Sequence, residues 1–272
     1  MDRINSAIAK ARASRENLDG SRPPRPVSEH KATSANADWA SLPEFQIAPE
    51  ILDKSHIVAH RADAASTPFD LMRSSLLHQL QHHGWTRVAI TSPDSGCGKT
   101  TVTLNLAFSL ARMSDLRVMV LELDLRRPAM GRALGLGPGQ DRKPQFSTAL
   151  QGTVPPETQL LRYGHNLAFG FSSAPVDSPA ELLSSVRAAT IVDALEASFR
   201  PDIILFDMPP LIAGDDTFAF LDQIDCALVV AAAEETSVNV IDQCGKDLAE
   251  RTQVLGVILN KCRMMDPDNI YG

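Results

Sequence analysis

An apolar run, a glycine turn closed by lysine and a helical pattern follow one another between Arg87 and Met113, and no other stretch limits the fold so tightly. Val88, Ala89 and Ile90 lead into Thr91-Ser92-Pro93-Asp94-Ser95-Gly96-Cys97-Gly98-Lys99-Thr100-Thr101, after which Val102, Leu106, Leu110 and Met113 recur at helical spacing. A polyphosphate must be held with several negative charges out of water. A glycine turn whose amides point inward, followed by the positive end of a helix, supplies that grip. Gly96 and Gly98 give the backbone its freedom, and Ser95 and Cys97 complete the loop. Lys99 is expected to reach the β- and γ-phosphates, Thr100 to place its hydroxyl on Mg2+, and Thr101 to cap the first turn and donate to the α-phosphate. Pro93 stands where the strict P-loop pattern has glycine. An ordinary strand-to-helix turn is the bland alternative, but the strand and helix that the motif requires are both present. The stretch therefore predicts binding of a nucleoside triphosphate with Mg2+.

Two further apolar runs end in carboxylates. Val118-Met119-Val120-Leu121 passes into Glu122-Leu123-Asp124-Leu125-Arg126-Arg127-Pro128, so Glu122 and Asp124 alternate onto one side at the carboxyl end of a strand. Asp202-Ile203-Ile204-Leu205-Phe206 runs into Asp207-Met208-Pro209-Pro210, the Walker-B arrangement for holding Mg2+ through water. One acid at a strand end is usually a turn former. Three of them after one phosphate loop fit a common purpose, because open parallel sheets bind ligands outside the carboxyl ends of their strands. Thr100, Asp124 and Asp207 form the expected Mg2+ set.

Together, Gly98-Lys99-Thr100-Thr101, the Glu122–Pro128 stretch and Asp207-Met208-Pro209-Pro210 resemble the bacterial tyrosine kinases of capsule and exopolysaccharide synthesis, the CpsD/CapB type. These are relatives of the ParA/MinD ATPases, and the second acidic motif looks like their Walker A′. The resemblance covers most of residues 55–262. It extends to Ser178-Pro179-Ala180-Glu181-Leu182-Leu183, similar to the family's Asn-Pro-x-Glu-Leu-Leu stretch, and to Asn260 at the end of the last expected strand. The ParA/MinD loop has an extra lysine five residues before the P-loop lysine. Asp94 stands there, which favours the kinase branch.

The resemblance implies ATP-dependent phosphoryl transfer to tyrosine. In that reading Lys99 and the loop amides neutralise the transferred group, Thr100, Asp124 and Asp207 organise Mg2+, Glu122 orients or deprotonates the incoming hydroxyl, and Asn260 contacts adenine. Arg126 and Arg127 are equal candidates to reach phosphate or a neighbouring subunit, or to sit in surface salt bridges. The resemblance further implies a homo-oligomer and a partner, a membrane chain-length regulator whose cytoplasmic tail completes or activates the kinase.

Three departures mark this chain. The first Walker A′ acid is Glu122, one methylene longer than the family's aspartate. Where the family's ring-forming helix carries Glu-x-x-Arg-x-x-Arg, the comparable positions are Asp70, Arg73 and Leu76. The family's terminal tyrosine cluster is reduced to Tyr271, since Tyr163 is the only other tyrosine. Tyr271 reads as a phosphate acceptor or as solvated coil. The scarcity of tyrosines keeps a second function open, an ATP-driven switch acting on a polysaccharide export complex without tyrosine phosphorylation. An iron–sulfur carrier of the same superfamily would need paired cysteines, which the chain lacks.

With 272 residues, 44% hydrophobic and 22% charged, the chain can bury one substantial α/β core. Its net charge of −7 argues against a nucleic-acid binder. No apolar run approaches the roughly 18 residues of a membrane span and no signal segment opens the chain, so a cytoplasmic protein without its own transmembrane segment is expected. Cys97, Cys226, Cys244 and Cys262 lack CxxC spacing, against a disulfide framework or zinc site. Cys97 reads as a small filler or as an oxidation-sensitive thiol.

Met1, Ile4, Ile8 and Ala11 share a helical face, and residues 1–31 carry seven Lys/Arg against four Asp/Glu. A docking helix for a partner or a membrane surface is expected over 1–19, a flexible linker over 20–54 with Trp39, Leu42 and Phe45 touching the core, an ATPase or kinase domain over 55–265, and a tail over 266–272. Strands are expected at 56–59, 87–91, 118–123, 167–171, 202–206, 226–231 and 254–259. Helices are expected at 68–81, 100–113, 179–199, 216–221 and 237–251. His78, His82 and His83 read as a solvated face. This alternation predicts an α/β fold, a doubly wound and mostly parallel P-loop NTPase sheet with helices on both faces.

Overall fold

The computed structural model describes residues 39–136 and 144–262. The expected helix at 1–19, the expected linker up to residue 38 and the tail with Tyr271 lie outside the described residues.

One seven-stranded sheet organises the chain. Its strands are β1 (Arg87–Thr91), β2 (Val118–Glu122), β3 (Leu160–Tyr163), β4 (Leu167–Gly170), β5 (Ile203–Asp207), β6 (Cys226–Ala232) and β7 (Gln253–Asn260), in the order β3-β4-β2-β5-β1-β6-β7. All neighbours are parallel except β3, which runs antiparallel to β4 at one edge. The helices are α1 (Pro49–Lys54), α2 (Thr67–His83), α3 (Lys99–Ala111), α4 (Met130–Ala133), α5 (Phe146–Leu150), α6 (Pro179–Leu183), α7 (Val186–Phe199), α8 (Asp216–Phe220) and α9 (Val238–Ala249).

The two-residue strand period explains the layers. Val88, Ile90, Val118 and Val120 pack on one face with Leu76 and Leu80 of α2 and Leu106 and Leu110 of α3. Ala89, Met119, Leu121 and Phe206 face the other way, onto Val192 and Leu195 of α7 and Leu248 of α9. Both faces being covered, strands β1, β2 and β5 are wholly buried and read as unbroken apolar runs.

Strand register then sets the site. Ile90 of β1 lies beside Asp207 of β5, and Asp207 beside Glu122 of β2. The carboxyl ends of three adjacent strands therefore share one level.

The structure corrects several expected elements. The segment at 56–59 is not a strand. Ile57 and Ala59 are buried, but the Val58 and Ala59 amides donate to Asn105 Oδ1 of α3 at 2.8 and 3.0 Å, while Asn105 Nδ2 donates to the His56 carbonyl at 2.9 Å. One helical asparagine thus replaces a neighbouring strand. The helix expected over 179–199 is two helices, broken where Ser185 caps α7 by accepting from the Ala188 amide at 3.1 Å. The edge strand β3 was unexpected. Residues 39–54, expected to be linker, are ordered: Trp39, Leu42 and Phe45 reach the core as expected, with the indole N–H of Trp39 donating to the Phe199 carbonyl at 2.7 Å, while the burial of Ile47 and Leu52 was not expected. The packed domain therefore includes Trp39, well before the expected boundary at 55.

Asp70 and Arg73 serve an intrachain network. Asp70 accepts from Ser109 Oγ at 2.6 Å and from Arg112, and Arg73 donates to the Ser109 carbonyl at 2.8 Å, tying α2 to α3.

Arg87 opens β1 from inside the core, 1% exposed, with Glu196 and Asp193 of α7 as counterions. Its Nε reaches Glu196 at 2.9 Å and its Nη2 reaches Asp193 at 2.6 Å. Removing one member of a buried ion pair costs about 3–5 kcal/mol, chiefly through the charge left behind. Here the carboxylates are partly exposed and water can reach them. Arg87→Ala is therefore expected to destabilise by about 3 kcal/mol, the low end, as read from urea unfolding midpoints; a change below 1 kcal/mol would show that the network carries little.

Candidate nucleotide site

The phosphate loop leaves β1 and bends back through two left-handed glycines, Gly96 at φ 82° and Gly98 at φ 89°. Gly98 is the N-cap of α3, and no side chain caps that terminus. The amides of Lys99, Thr100 and Thr101 open the helix, where no earlier turn offers them a carbonyl; the first ladder bond is from the Val102 amide to the Gly98 carbonyl at 2.9 Å. Such an uncapped start, with its positive dipole end, is suited to an anion. The Ser95 amide is taken by Asp94 Oδ1 at 2.7 Å. Cys97 is buried, its sulfur 3.8 Å from Thr236 Oγ1, as a small filler would be.

Lys99 Nζ lies 2.6 Å from Asp124 Oδ2 and Thr100 Oγ1 lies 2.7 Å from Asp207 Oδ2. The structure thus brings together Lys99, Thr100, Asp124 and Asp207 from three separate segments. Burial alone would lower the Lys99 pKa, but Asp207, Asp124 and Glu122 outweigh it, and the ammonium is held above its ordinary value. Asp207 is pushed up to about 6, first by burial and then by Asp124, against the pull of Lys99 and Thr100. Thr100 and Asp207 offer a hydroxyl and a carboxylate in contact, the hard oxygen donors that Mg2+ shares with water and phosphate. Among the described residues no group of three or more His, Cys, Asp or Glu forms a complete metal cage. The donor set fits an ion completed by phosphate oxygens, with Asp124 held at Lys99.

Glu122 differs from expectation. It has no exposed surface, and both oxygens are spoken for: Oε1 accepts from the Ala129 and Met130 amides at 2.6 and 2.8 Å, and Oε2 from the Ser172 amide at 3.1 Å. Burial raises its pKa to about 7, with Asp207 adding to the rise and the three amides opposing it. In this geometry Glu122 braces the start of α4 and the end of β4. Both of its oxygens are thereby engaged by main-chain amides of the protein itself.

Asn260, expected to contact a base, donates from Nδ2 to the Cys97 carbonyl at 2.9 Å and so clamps the loop. A Cβ on Gly98 would come within 2.2 Å of that same nitrogen. Gly98→Ala should therefore break the clamp and strain a left-handed position, costing about 1–3 kcal/mol and at least tenfold in nucleotide affinity. Adding Asn260→Ala should relieve the clash but not the φ strain, so only part of the loss returns. Unchanged unfolding and nucleotide titration curves for Gly98→Ala would contradict this.

Two participants were missed. Thr103, one turn after Thr100, bonds the Lys99 carbonyl at 2.9 Å and lies 3.5 Å from Asp207 Oδ1; its i, i+3 spacing was a visible signal. Asp216 holds Arg126 in a two-point ion pair, and nothing in the sequence pairs them.

Residues 88–268 match the CobQ/CobB/MinD/ParA nucleotide binding domain. The chain is similar to the putative tyrosine-protein kinase EpsB of Ralstonia nicotianae, 26% identical over 92% of this chain and 33% of that one. It is also similar to the tyrosine-protein kinase YwqD of Bacillus subtilis, 29% identical over 64% of this chain and 71% of that one. The chain thus spans about a third of the length of EpsB. Among solved structures the VpsO kinase domain superposes with a TM-score of 0.63 at 28% identity, covering 73% of this chain and 96% of that one. By its domain match, this chain belongs to the CobQ/CobB/MinD/ParA nucleotide-binding family.

Proposed function

We propose that the chain is an ATP-dependent protein-tyrosine kinase of capsule or exopolysaccharide synthesis, using Mg2+. The observation that carries the reading is the convergence of Lys99, Thr100, Asp124 and Asp207 at one level of the sheet, in a chain 28% identical to a solved kinase domain. Mg2+, when bound, neutralises charge on the phosphates and is held through Thr100 and Asp207. Lys99 and the amides of the α3 start bind and orient the γ-phosphoryl group, and Asn260 Oδ1 remains as an acceptor for a base N–H. The acceptor phenol oxygen bonds the γ-phosphorus, the bond from that phosphorus to the bridging oxygen breaks, and ADP leaves with the electron pair. The phenolic proton passes to Asp124, the less enclosed Walker A′ acid. Glu122 positions α4 beside it. A membrane chain-length regulator of polysaccharide synthesis is the proposed partner, and self-association the proposed state. Among the described residues no helix is long and apolar enough to cross a membrane.

Tyr163 favours an acceptor elsewhere. It sits in β3 with its ring against Phe45 and Phe108, at centroid distances of 6.2 and 5.3 Å. Phosphate on Tyr271 or on another protein is therefore the expected product. Incubation with labelled ATP, with and without the regulator's cytoplasmic tail, followed by phosphotyrosine mapping, tests this. ATP hydrolysis without any phosphotyrosine would favour the ATPase-switch reading instead.

A further inference from the structure

The two edges of the sheet are finished differently. Residues 43–45 lie along β3 as a cover: the Phe45 amide donates to the Arg162 carbonyl at 2.9 Å, and the Arg162 amide to the Pro43 carbonyl at 2.8 Å. β7 has β6 on one side and, among the described residues, no strand on the other. Edges are normally blunted by charge, proline or a short span, because their unpaired main-chain groups invite another strand. β7 is the longest strand of the sheet, eight residues from Gln253 to Asn260, and contains neither a charged residue nor proline. Its irregularity is the extra Leu255 at the Ala227–Leu228 step, after which Gly256 to Asn260 run in regular register beside Leu228 to Ala232.

Alternation fixes which groups look outward. The Asn260 carbonyl accepts from the Ala233 amide at 2.9 Å, on the β6 side. Main-chain groups of successive strand residues point to opposite edges, so those of Val257 and Leu259 point away from β6. The Leu259 carbonyl meets the Cys262 thiol at 3.6 Å, a weak donor that a strand amide would displace. The side chains of Val257 and Leu259 are 48% and 51% exposed. Beside the strand a cleft of about 300 Å³ opens against α2, with Met72 and Leu76 on the helix side and Leu228 and Ile258 on the sheet side. Leu71 of the same helix is 59% exposed.

We infer that β7 is a self-association seam: its edge pairs antiparallel with β7 of a second copy, joining two seven-stranded sheets across a two-fold axis. This names the surface for the proposed self-association and rests on that reading, not on kinase activity. Charge favours a second copy as the occupant. The strand is uncharged, so two copies meet along it without like charges opposed. Each end carries both signs: Glu250 and Arg251 precede the strand, and Lys261, paired with Glu235 at 3.2 Å, follows it. An antiparallel pair brings the first end of one copy to the second end of the other, twice by symmetry, so each anion meets a cation. A parallel pair would set Lys261 against Lys261.

Sedimentation of the full chain over a concentration series gives the dimer Kd for wild type, Val257→Lys, Leu259→Lys and Val186→Lys. Val186, 83% exposed at the start of α7, is an apolar surface site on another element. The wild type should dimerise, Val257→Lys and Leu259→Lys should each weaken the Kd at least tenfold, and Val186→Lys should change it less than twofold. Unchanged thermal midpoints of the monomers separate this from unfolding. In the wild type, exchange of the Val257 and Leu259 amides should slow at least tenfold from monomeric to dimeric concentrations, a readout that needs no variant to fold. A wild-type dimer that neither lysine weakens, with no slowing of those amides, means that copies meet elsewhere: the seam falls and self-association stands. A wild type monomeric at every concentration ends both. Amides already protected in the monomer would give the edge to other residues of the chain itself, and protection gained only with a regulator's cytoplasmic tail would give it to that partner. Either result overturns the inference.

Discussion

Lys99→Met should weaken ATP binding about 100-fold and abolish transfer of label from ATP. The ammonium is in direct contact with the acidic cluster, 2.6 Å from Asp124, and Asp207 and Glu122 both act on it. A charge-assisted bond to phosphate contributes about 1.5–3 kcal/mol, which converts to the stated affinity at its upper end. The same substitution removes the counterion of carboxylates that are already buried. Asp207, kept down in part by Lys99, should then rise further and hold its proton to higher pH. Isothermal titration with ATP and Mg2+, beside labelling with radioactive ATP, checks both parts. Full labelling of the variant would remove Lys99 from the phosphate site.

The features that were readable in advance are those whose cause is local or periodic. The phosphate loop announces itself because Gly96, Gly98 and Lys99 fall between an unbroken apolar run and a helical repeat. The strands ending at Glu122 and Asp207 were readable for the same reason, since strands covered on both faces leave no polar interruptions until the sheet ends. What could not be read depends on where remote groups meet. The 56–59 segment has the composition of a strand, yet its amides go to Asn105, 46 and 47 residues away. Glu122 carries the right charge at the right motif position, but its direction was decided by three backbone amides that exist only once β4 and α4 are in place. Asp216 could not be matched to Arg126 across 90 residues without the docking of α8. Trp39 was expected to touch the core, but within a stretch rich in proline, serine and alanine nothing showed that the packed segment continues from it through Ile47 and Leu52. Composition over a window describes the window's average; a single large side chain can anchor the chain regardless of it.

The acidic cluster also makes folding stability depend on pH in the sense opposite to that of most carboxylates. Asp207 rises from 3.8 to about 6 and Glu122 from 4.5 to about 7 on folding, in both cases chiefly through burial. Between these limits the folded chain binds more protons than the unfolded one, so stability is greatest below the unfolded values and declines as pH climbs through the folded ones. At about 1.4 kcal/mol per pH unit, each group accounts for roughly 3 kcal/mol lost between pH 4 and 8. The two face each other across adjacent strands, so the titration belongs to the pair. Asp70 has the opposite shift, lowered by its bonds to Arg112 and Ser109 despite burial, and its contribution is lost only as pH falls below the ordinary aspartate range, outside this window. Urea midpoints measured without nucleotide or metal at pH 5 and pH 8 should therefore fall by several kcal/mol at the higher pH. Glu122→Gln should remove about half of that slope, because an amide retains the shape while discarding the titration. Adding Mg2+ with ATP should flatten it in the wild type, by supplying positive charge where ionised Asp207 has least solvation. A midpoint that stays level or rises from pH 5 to pH 8 would mean that water or an unseen donor reaches Asp207 and Glu122, and that the site is not the enclosed pair of carboxylates described above.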